Sequence, residues 1–321
     1  MNTSTSQIVL YTNSFGQEMV IPVLRHKGSK TGSKIVITCL NHGNEIIGSM
    51  AAIKIFNLAK NNKNFAGELV VLTCLNQGGV ERGSRFFEAD NFYETHTQNL
   101  NRNYGSHHNS LTGLVADKIL DFIVAEQPDL VIDCHSYSIR SLVHIILDRP
   151  DGVLEQQLIE LATNSNIPFY LEYEAQTLSE QKLDYCLSNQ LLLKDILAIT
   201  IELGPQFGFG TQQLNLATQA LRNLVFGEDS DLLQSQNVGV MKGSIFHRHS
   251  ILNDSQYCGI LEPLAELGAS LAKGTPIANI YDFFGQQMTE VVMPQDGIIL
   301  VWCKNNYTYP KAEVALIIIK V

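Results

Sequence analysis

His42 and Glu45 stand three positions apart in CLNHGNEIIGS, residues 39–49, directly after the apolar run KIVITCL of residues 34–40. An imidazole on a turn and a carboxylate entering a helix, at that offset, can face one side and share an ion. Two further groups close apolar runs: His135 in IDCHS and Glu202 in ITIELG. Two histidines and a carboxylate form a common ligand set for catalytic zinc, with a fourth position left open. His135 lies 90 positions beyond Glu45, which suits a site assembled from separate strand ends. Zinc in such a site lowers the pKa of a bound water to about 7 and polarises a carbonyl. A second carboxylate must then take the water's proton and deliver it to the leaving nitrogen, and Glu202 is the residue placed for it. Each group also has a plainer reading. Glu45 could open a helix favoured by its dipole. His135 could be a core histidine hydrogen-bonded at a strand end. Glu202 could be a paired structural carboxylate, since an unpaired one in an apolar strand costs roughly several kcal/mol. Asp133 precedes His135 by two residues, so in a strand it shares that face and is suited to orient the imidazole.

The elements that must position these groups follow from the apolar runs. Strands are expected at 34–40, 68–75, 129–134, 142–147 and 196–203, and helices at 45–60 and 114–126. Ile46, Ile47, Met50, Ile53 and Ile55 or Phe56 form the apolar side expected of the first helix, and Gln127-Pro128 stops the second. The strands lack period-two alternation and so read as buried on both faces. Such strands between helices indicate an α/β fold with a mainly parallel sheet and helices on both faces. Gly43 gives the chain room to turn tightly between His42 and Glu45. The segment 76–110 is long, polar and rich in Gly and Asn. A loop of that length is usually functional, and it begins at a strand's carboxyl end, where α/β sheets bind ligands. It carries Arg82, Arg85 and Arg102, which would make a locally cationic pocket. Beyond about residue 230 the texture changes to short β-like runs between Gly, Pro and Asp-Gly turns. The division expected is therefore a catalytic α/β domain over 1–235 and a small all-β domain over 240–321.

Composition narrows the function. The 321 residues carry a formal charge of −10 and no Lys/Arg run, which argues against nucleic acid or an anionic membrane as partner. A small-molecule substrate is expected, and a homo-oligomer is compatible with the sequence. No apolar run reaches the roughly 20 residues a membrane helix needs, and MNTSTSQIVLYTNS lacks the pattern of a cleaved signal. The six cysteines form no C-x-x-C pair, and Cys39, Cys74 and Cys134 read as reduced core thiols of a cytoplasmic protein. His107-His108 sit in a polar loop without a third partner, and His247 and His249 read as structural or exposed.

NHGNE, SRFF, NLNRNYG, DCHS and TIELG occur in this order. Together they resemble the succinylglutamate desuccinylase/aspartoacylase family, part of the wider zinc carboxypeptidase-like group, over roughly residues 34–210. The resemblance implies a carboxypeptidase-like mixed sheet and a C-terminal β domain capping the site. It implies one zinc ion held by His42, Glu45 and His135, with Glu202 as general base and acid. Arg85 in SRFF matches the arginine expected to steady the scissile carbonyl oxygen, and Asn101-Arg102 match the pair expected to hold a substrate carboxylate. Arginine's fixed fork of donors suits that task. The activity implied is zinc-dependent hydrolysis of the amide bond of a small N-acylated amino acid or amine. The alternatives are a metallocarboxypeptidase acting on short peptides and a non-catalytic zinc- or ligand-binding module. Asn99 stands where the family often has Asp, which alters loop anchoring or pocket charge. Asn103-Tyr104-Gly105 replaces a more apolar, Pro-containing turn. Tyr173 and Tyr307 are the candidates for the family's late substrate-contacting tyrosine. VVMPQDGIIL resembles a lipoyl-type hairpin, but Met293–Gly297 holds no lysine for a carrier group.

Overall fold

The structure, a computed structural model, describes residues 2–88, 98–107, 109–148, 153–172, 182–228, 245–303 and 305–320. The chain opens with a hairpin of β1 (Asn2–Thr12) and β2 (Glu18–Lys27). Its turn is closed by Asn13, whose Oδ1 accepts from the backbone of Phe15 and Gln17. There follow β3 (Lys30–Cys39), α1 (Ile46–Asn61), β4 (Ala66–Leu72), α2 (Gln77–Arg82) and a 3-10 turn at Leu100–Arg102. Next come α3 (Leu111–Glu126), β5 (Leu130–His135), β6 (His144–Asp148), α4 (Val153–Asn164) and β7 (Phe169–Glu172). A 3-10 turn at Leu183–Tyr185, α5 (Leu187–Leu192), β8 (Ala198–Glu202) and α6 (Thr211–Phe226) complete this part. The C-terminal part is all β: β9 (Phe246–Leu252), β10 (Gly259–Pro263), β11 (Ser270–Leu271), β12 (Pro276–Tyr281), β13 (Gln287–Val292), β14 (Gly297–Trp302), β15 (Tyr307–Thr308) and β16 (Glu313–Lys320).

One twelve-stranded sheet runs β1-β2-β4-β3-β5-β8-β6-β7-β9-β16-β14-β11, and a second holds β13-β12-β10-β15. The centre of the large sheet, β4-β3-β5-β8, is parallel, as the uninterrupted apolar runs require. Its flanks are antiparallel: β1-β2-β4 on one side and β9-β16-β14-β11 on the other. The fold class expected from sequence is therefore present. The N-terminal hairpin was not anticipated, because most of β1 is solvent-exposed and its apolar residues are confined to the short run Ile8–Tyr11. Four C-terminal strands continue the large sheet, through a parallel β7–β9 pairing at Leu171 and His247. Met293–Gly297 joins β13 in the small sheet to β14 in the large one, so it is a crossing between sheets and not a hairpin tip.

The register fixes where the chemistry lies. Cys39 pairs with Cys134 and His135 with Glu202, so β3, β5 and β8 end together on one edge. Leu72 pairs with Thr38 on β3, which brings the end of β4 and the start of α2 to that edge. α1 packs against α6, and α3 against α5. The apolar side of α1 differs from the expectation: Ile46 and Met50 face outward, while Ile47, Gly48, Ala51, Ala52, Ile55, Phe56 and Ala59 are buried. Small residues decide this face, since a Cβ on Gly48 would stand 2.8 Å from the Cβ of Cys134.

Candidate metal centre and its cavity

β3 ends at Cys39, and the next residue, Leu40, has a φ of 62°. That left-handed step, rare for a branched apolar residue, swings the chain out of the strand and aims His42 back over the sheet edge. Gly43 has another reason than conformational freedom. A Cβ there would lie 2.2 Å from the carbonyl carbon of Gly79, so glycine lets α2 approach the turn. Asn76, the cap of α2, holds the two together by accepting from Gly79 N and donating to Asn41 O. Tyr104, fully buried, donates to Asn41 Oδ1 at 2.5 Å.

Glu45 precedes α1 but makes no capping bond. Its carboxylate turns to the histidines: Oε1 lies 2.9 Å from His42 Nδ1 and Oε2 lies 2.9 Å from His135 Nδ1. The two Nδ1 atoms are 3.1 Å apart. Arg85 Nη1, Gln206 Nε2 and the Ser136 backbone amide also reach the carboxylate, at 2.8, 3.3 and 3.0 Å. His42, Glu45 and His135 are all buried, and their ligand atoms lie within 4.8 Å of one another.

The other ring nitrogens settle what these atoms present. Asn99 Oδ1 accepts from the Asn101 amide, so it is the carbonyl oxygen, and His42 Nε2 must donate to it at 3.1 Å. His135 Nε2 faces Asp133 Oδ2 at 2.9 Å, and Asp133 in turn accepts from Thr38 and Asn41. With each Nε2–H committed outward, both Nδ1 lone pairs point inward at a carboxylate. With both imidazoles neutral, four electron-pair donors thus converge on one point. Such a set fits a divalent cation bound by nitrogen and oxygen.

Charge balance agrees. Burial, then Arg85, pushes His42 down to about 3, so it is neutral at physiological pH. Burial alone would raise Glu45, but His42 and His135 hold it well below the usual carboxylate range. Burial would likewise lower His135, but Asp133 and Glu45 hold it well above the usual imidazole value. Without an ion, then, a proton on His135 is the positive charge that steadies the cluster.

A cavity of about 370 Å³ opens on this centre. His42, Glu45, His135, Arg85, Asn101, Arg102 and Glu202 all line it, so the residues singled out in the sequence come together. Burial pushes the Glu202 carboxyl up to about 8 against the pull of His135, and its Oε2 has no partner among the described residues. Asn101 is buried, with Nδ2 3.2 Å from His135 Nε2 and Oδ1 accepting from Leu187 N. Arg102 donates to Asn101 O at 2.6 Å. Arg82 stays outside, bound to Phe87 O in a separate surface hollow. His107 is exposed beside Asp117, and His249 is exposed. Tyr307 is half exposed on β15, while Tyr173 and His108 lie outside the described residues. Not anticipated were Gln206 and the hydrogen bond from His42 to Asn99. Neither carries a spacing signal, although Asn99 belongs to the NLNRNYG stretch. Also unforeseen were Asp148, Glu172, Arg248 and Glu313, which line the far wall of the cavity.

Comparison with known proteins bears on the same residues. The sequence model of the succinylglutamate desuccinylase/aspartoacylase catalytic domain matches residues 31–226. No curated protein matches the sequence. Among solved structures, a succinylglutamate desuccinylase/aspartoacylase from Rhodobacter sphaeroides superposes with a TM-score of 0.75 at 14% identity, covering 100% of this chain and 96% of that one. The product-bound ectoine utilization protein EutE (DoeB) from Ruegeria pomeroyi gives 0.74 at 18% identity, over 99% and 95%. A metallo-carboxypeptidase from Burkholderia cenocepacia gives 0.52 at 14% identity, over 69% and 64%. At these identities the structural likeness speaks for the fold.

Proposed function

The chain belongs to the succinylglutamate desuccinylase/aspartoacylase family, and from that premise we propose that it is a zinc-dependent hydrolase of the amide bond of a small N-acylated amino acid or amine. The observation that carries this reading is the convergence of His42 Nδ1, His135 Nδ1 and both Glu45 oxygens beside an unpartnered, buried Glu202. His42, Glu45 and His135 would hold the zinc, which supplies Lewis-acid polarisation of the amide carbonyl and a lowered pKa for water.

Glu202 ends β8 at the same level as His135 at the end of β5. Its desolvated carboxylate, once ionised, is a strong proton acceptor at neutral pH. In this reading it takes the proton of the attacking water and returns it to the leaving nitrogen. Arg85, bound through Nη1 to Glu45, leaves the rest of its fork to steady negative charge on the carbonyl oxygen. Arg102, with Asn101 fixing the turn that carries it, is assigned to a substrate carboxylate. Residues 1–235 are taken as the catalytic domain and 240–321 as the β domain. The boundary between them falls in 229–244, outside the described residues. Arg248 and Glu313 of the β part line the cavity, in keeping with a part that narrows access to small molecules.

A metallocarboxypeptidase would use the same ligands, so substrate size separates the two. The test is a panel of N-acyl amino acids and short peptides offered to the zinc-loaded protein. Turnover of N-acyl amino acids is expected. Turnover of peptides alone would overturn the substrate class, and turnover of neither would point to a binding module.

A further inference from the structure

The two imidazoles of the metal centre are backed by different chemistry. His135 Nε2 faces a carboxylate, Asp133 Oδ2 at 2.9 Å. His42 Nε2 faces an amide, Asn99 Oδ1 at 3.1 Å. Asp133 and Asn99 are both buried. Both rings turn Nδ1 to the carboxylate of Glu45, at 2.9 Å each, so the rear partner is what separates them.

That partner matters in two ways. It fixes which ring nitrogen carries the proton, and hence which lone pair is left for an ion. It also sets how basic that lone pair is. A hydrogen bond to a carboxylate is roughly twice as strong as one to a neutral acceptor. It draws the N–H proton further from the ring, which then gives more electron density to a bound cation. An amide performs the first task fully and the second weakly.

The fold holds Asn99 in this place. Its Oδ1 also accepts from Asn101 N at 3.0 Å, which caps the 3-10 turn. Its backbone carbonyl accepts from Arg102 N at 2.9 Å and from Asn103 Nδ2 at 2.7 Å. One side-chain oxygen thus serves both a metal ligand and the turn that carries Asn101 and Arg102. Two N–H groups converge on it, so swapping it for the amide NH2 would set donor against donor. The side chain is locked in one orientation. A neutral group also suits the surroundings. Glu45, Asp133 and Glu202 are buried in the same region, and a further buried carboxylate would carry its own desolvation cost.

We propose that Asn99 is a positioning residue for the metal. It locks His42 with Nδ1 toward the ion through a neutral acceptor, so that the chain holds its zinc less tightly than a carboxylate at the same place would. The inference rests on the zinc-hydrolase reading and deepens it.

Asn99→Asp exchanges the amide for a carboxylate of the same shape and keeps both accepted bonds. Its zinc affinity, read by competition with a chromophoric chelator, should rise about tenfold. Damage to the turn could only loosen the ion, so a gain separates this role from a structural one. The double variant Asn99→Asp/Asp133→Asn moves the carboxylate from one imidazole to the other. It should bind zinc about tenfold more tightly than Asp133→Asn alone. Unchanged or weaker affinity in either comparison overturns the proposal. Should Asn99→Asp not fold, as judged by circular dichroism, Asn99→Ala takes its place. Loss of the acceptor should then weaken zinc binding about tenfold or more, and affinity equal to the unaltered protein's overturns the proposal. Hydrolysis is scored separately. A zinc-loaded chain without turnover would remove the hydrolase reading and leave Asn99 to be judged by affinity, whereas a chain that binds no zinc would end both.

Discussion

His42, Glu45, His135 and Glu202 were readable because each is a costly group placed where an apolar run stops, and stable chains tolerate that only for a partner or a task. Asp133 was readable from strand alternation. Asn99 and Gln206 were not, because a loop's path, and no fixed spacing, brings them to His42 and Glu45. Three predictions belong at this scale. Glu202→Gln should leave bound zinc unchanged and lower kcat/KM by about 100-fold or more; full activity in the variant would remove Glu202 from proton transfer. His42→Ala and His135→Ala should each bind far less zinc by elemental analysis, and stoichiometric metal in either would refute the ligand set. Asp133→Asn keeps the shape but weakens the acceptor for His135 Nε2, so zinc affinity should fall about 10- to 100-fold, read by competition with a chromophoric chelator.

At the scale of elements, the parallel centre of the sheet followed from uninterrupted apolar runs, whereas the face of α1 did not. Counting large apolar residues assigned Ile46 and Met50 to the core, but Gly48, Ala51 and Ala52 are the residues that let α1 lie close to β5. The 76–110 segment, read as one long polar loop, includes α2 and the Leu100–Arg102 turn, and its residues 89–97 lie outside those described. Gly43 illustrates the same lesson. The sequence suggested a tight turn, and the structure shows a backbone-to-backbone approach with α2. Gly43→Ala should therefore cost about 1–3 kcal/mol, as overpacking does, and weaken zinc binding with it. A thermal melt and a zinc titration matching the unaltered protein would show that α2 can yield.

At the scale of the whole molecule, the buried site ties stability to pH. Above about 6.5 an unfolded chain holds no proton on glutamate and little on histidine. The metal-free folded chain still holds one on Glu202, whose pKa is pushed up to about 8, and on His135, whose pKa is raised. His42 and His144, both lowered by burial, offset this near pH 6.5; from about 7 to 8 the folded state binds more protons, and its stability declines as pH rises. Melting curves of the metal-free protein should show that fall, and Glu202→Gln should flatten it; an unchanged slope would place the proton elsewhere. The C-terminal strands were legible as β structure, but not their place in the large sheet, since pairing between β7 and β9 leaves no local signature. That pairing has a consequence for ancestry. A gene crossover near residues 229–244 would sever one wall of the cavity from another, parting Glu172 from Arg248. Replacing the C-terminal part with a relative's would leave Glu172 without its ion-pair partner wherever that relative lacks an arginine at the matching place.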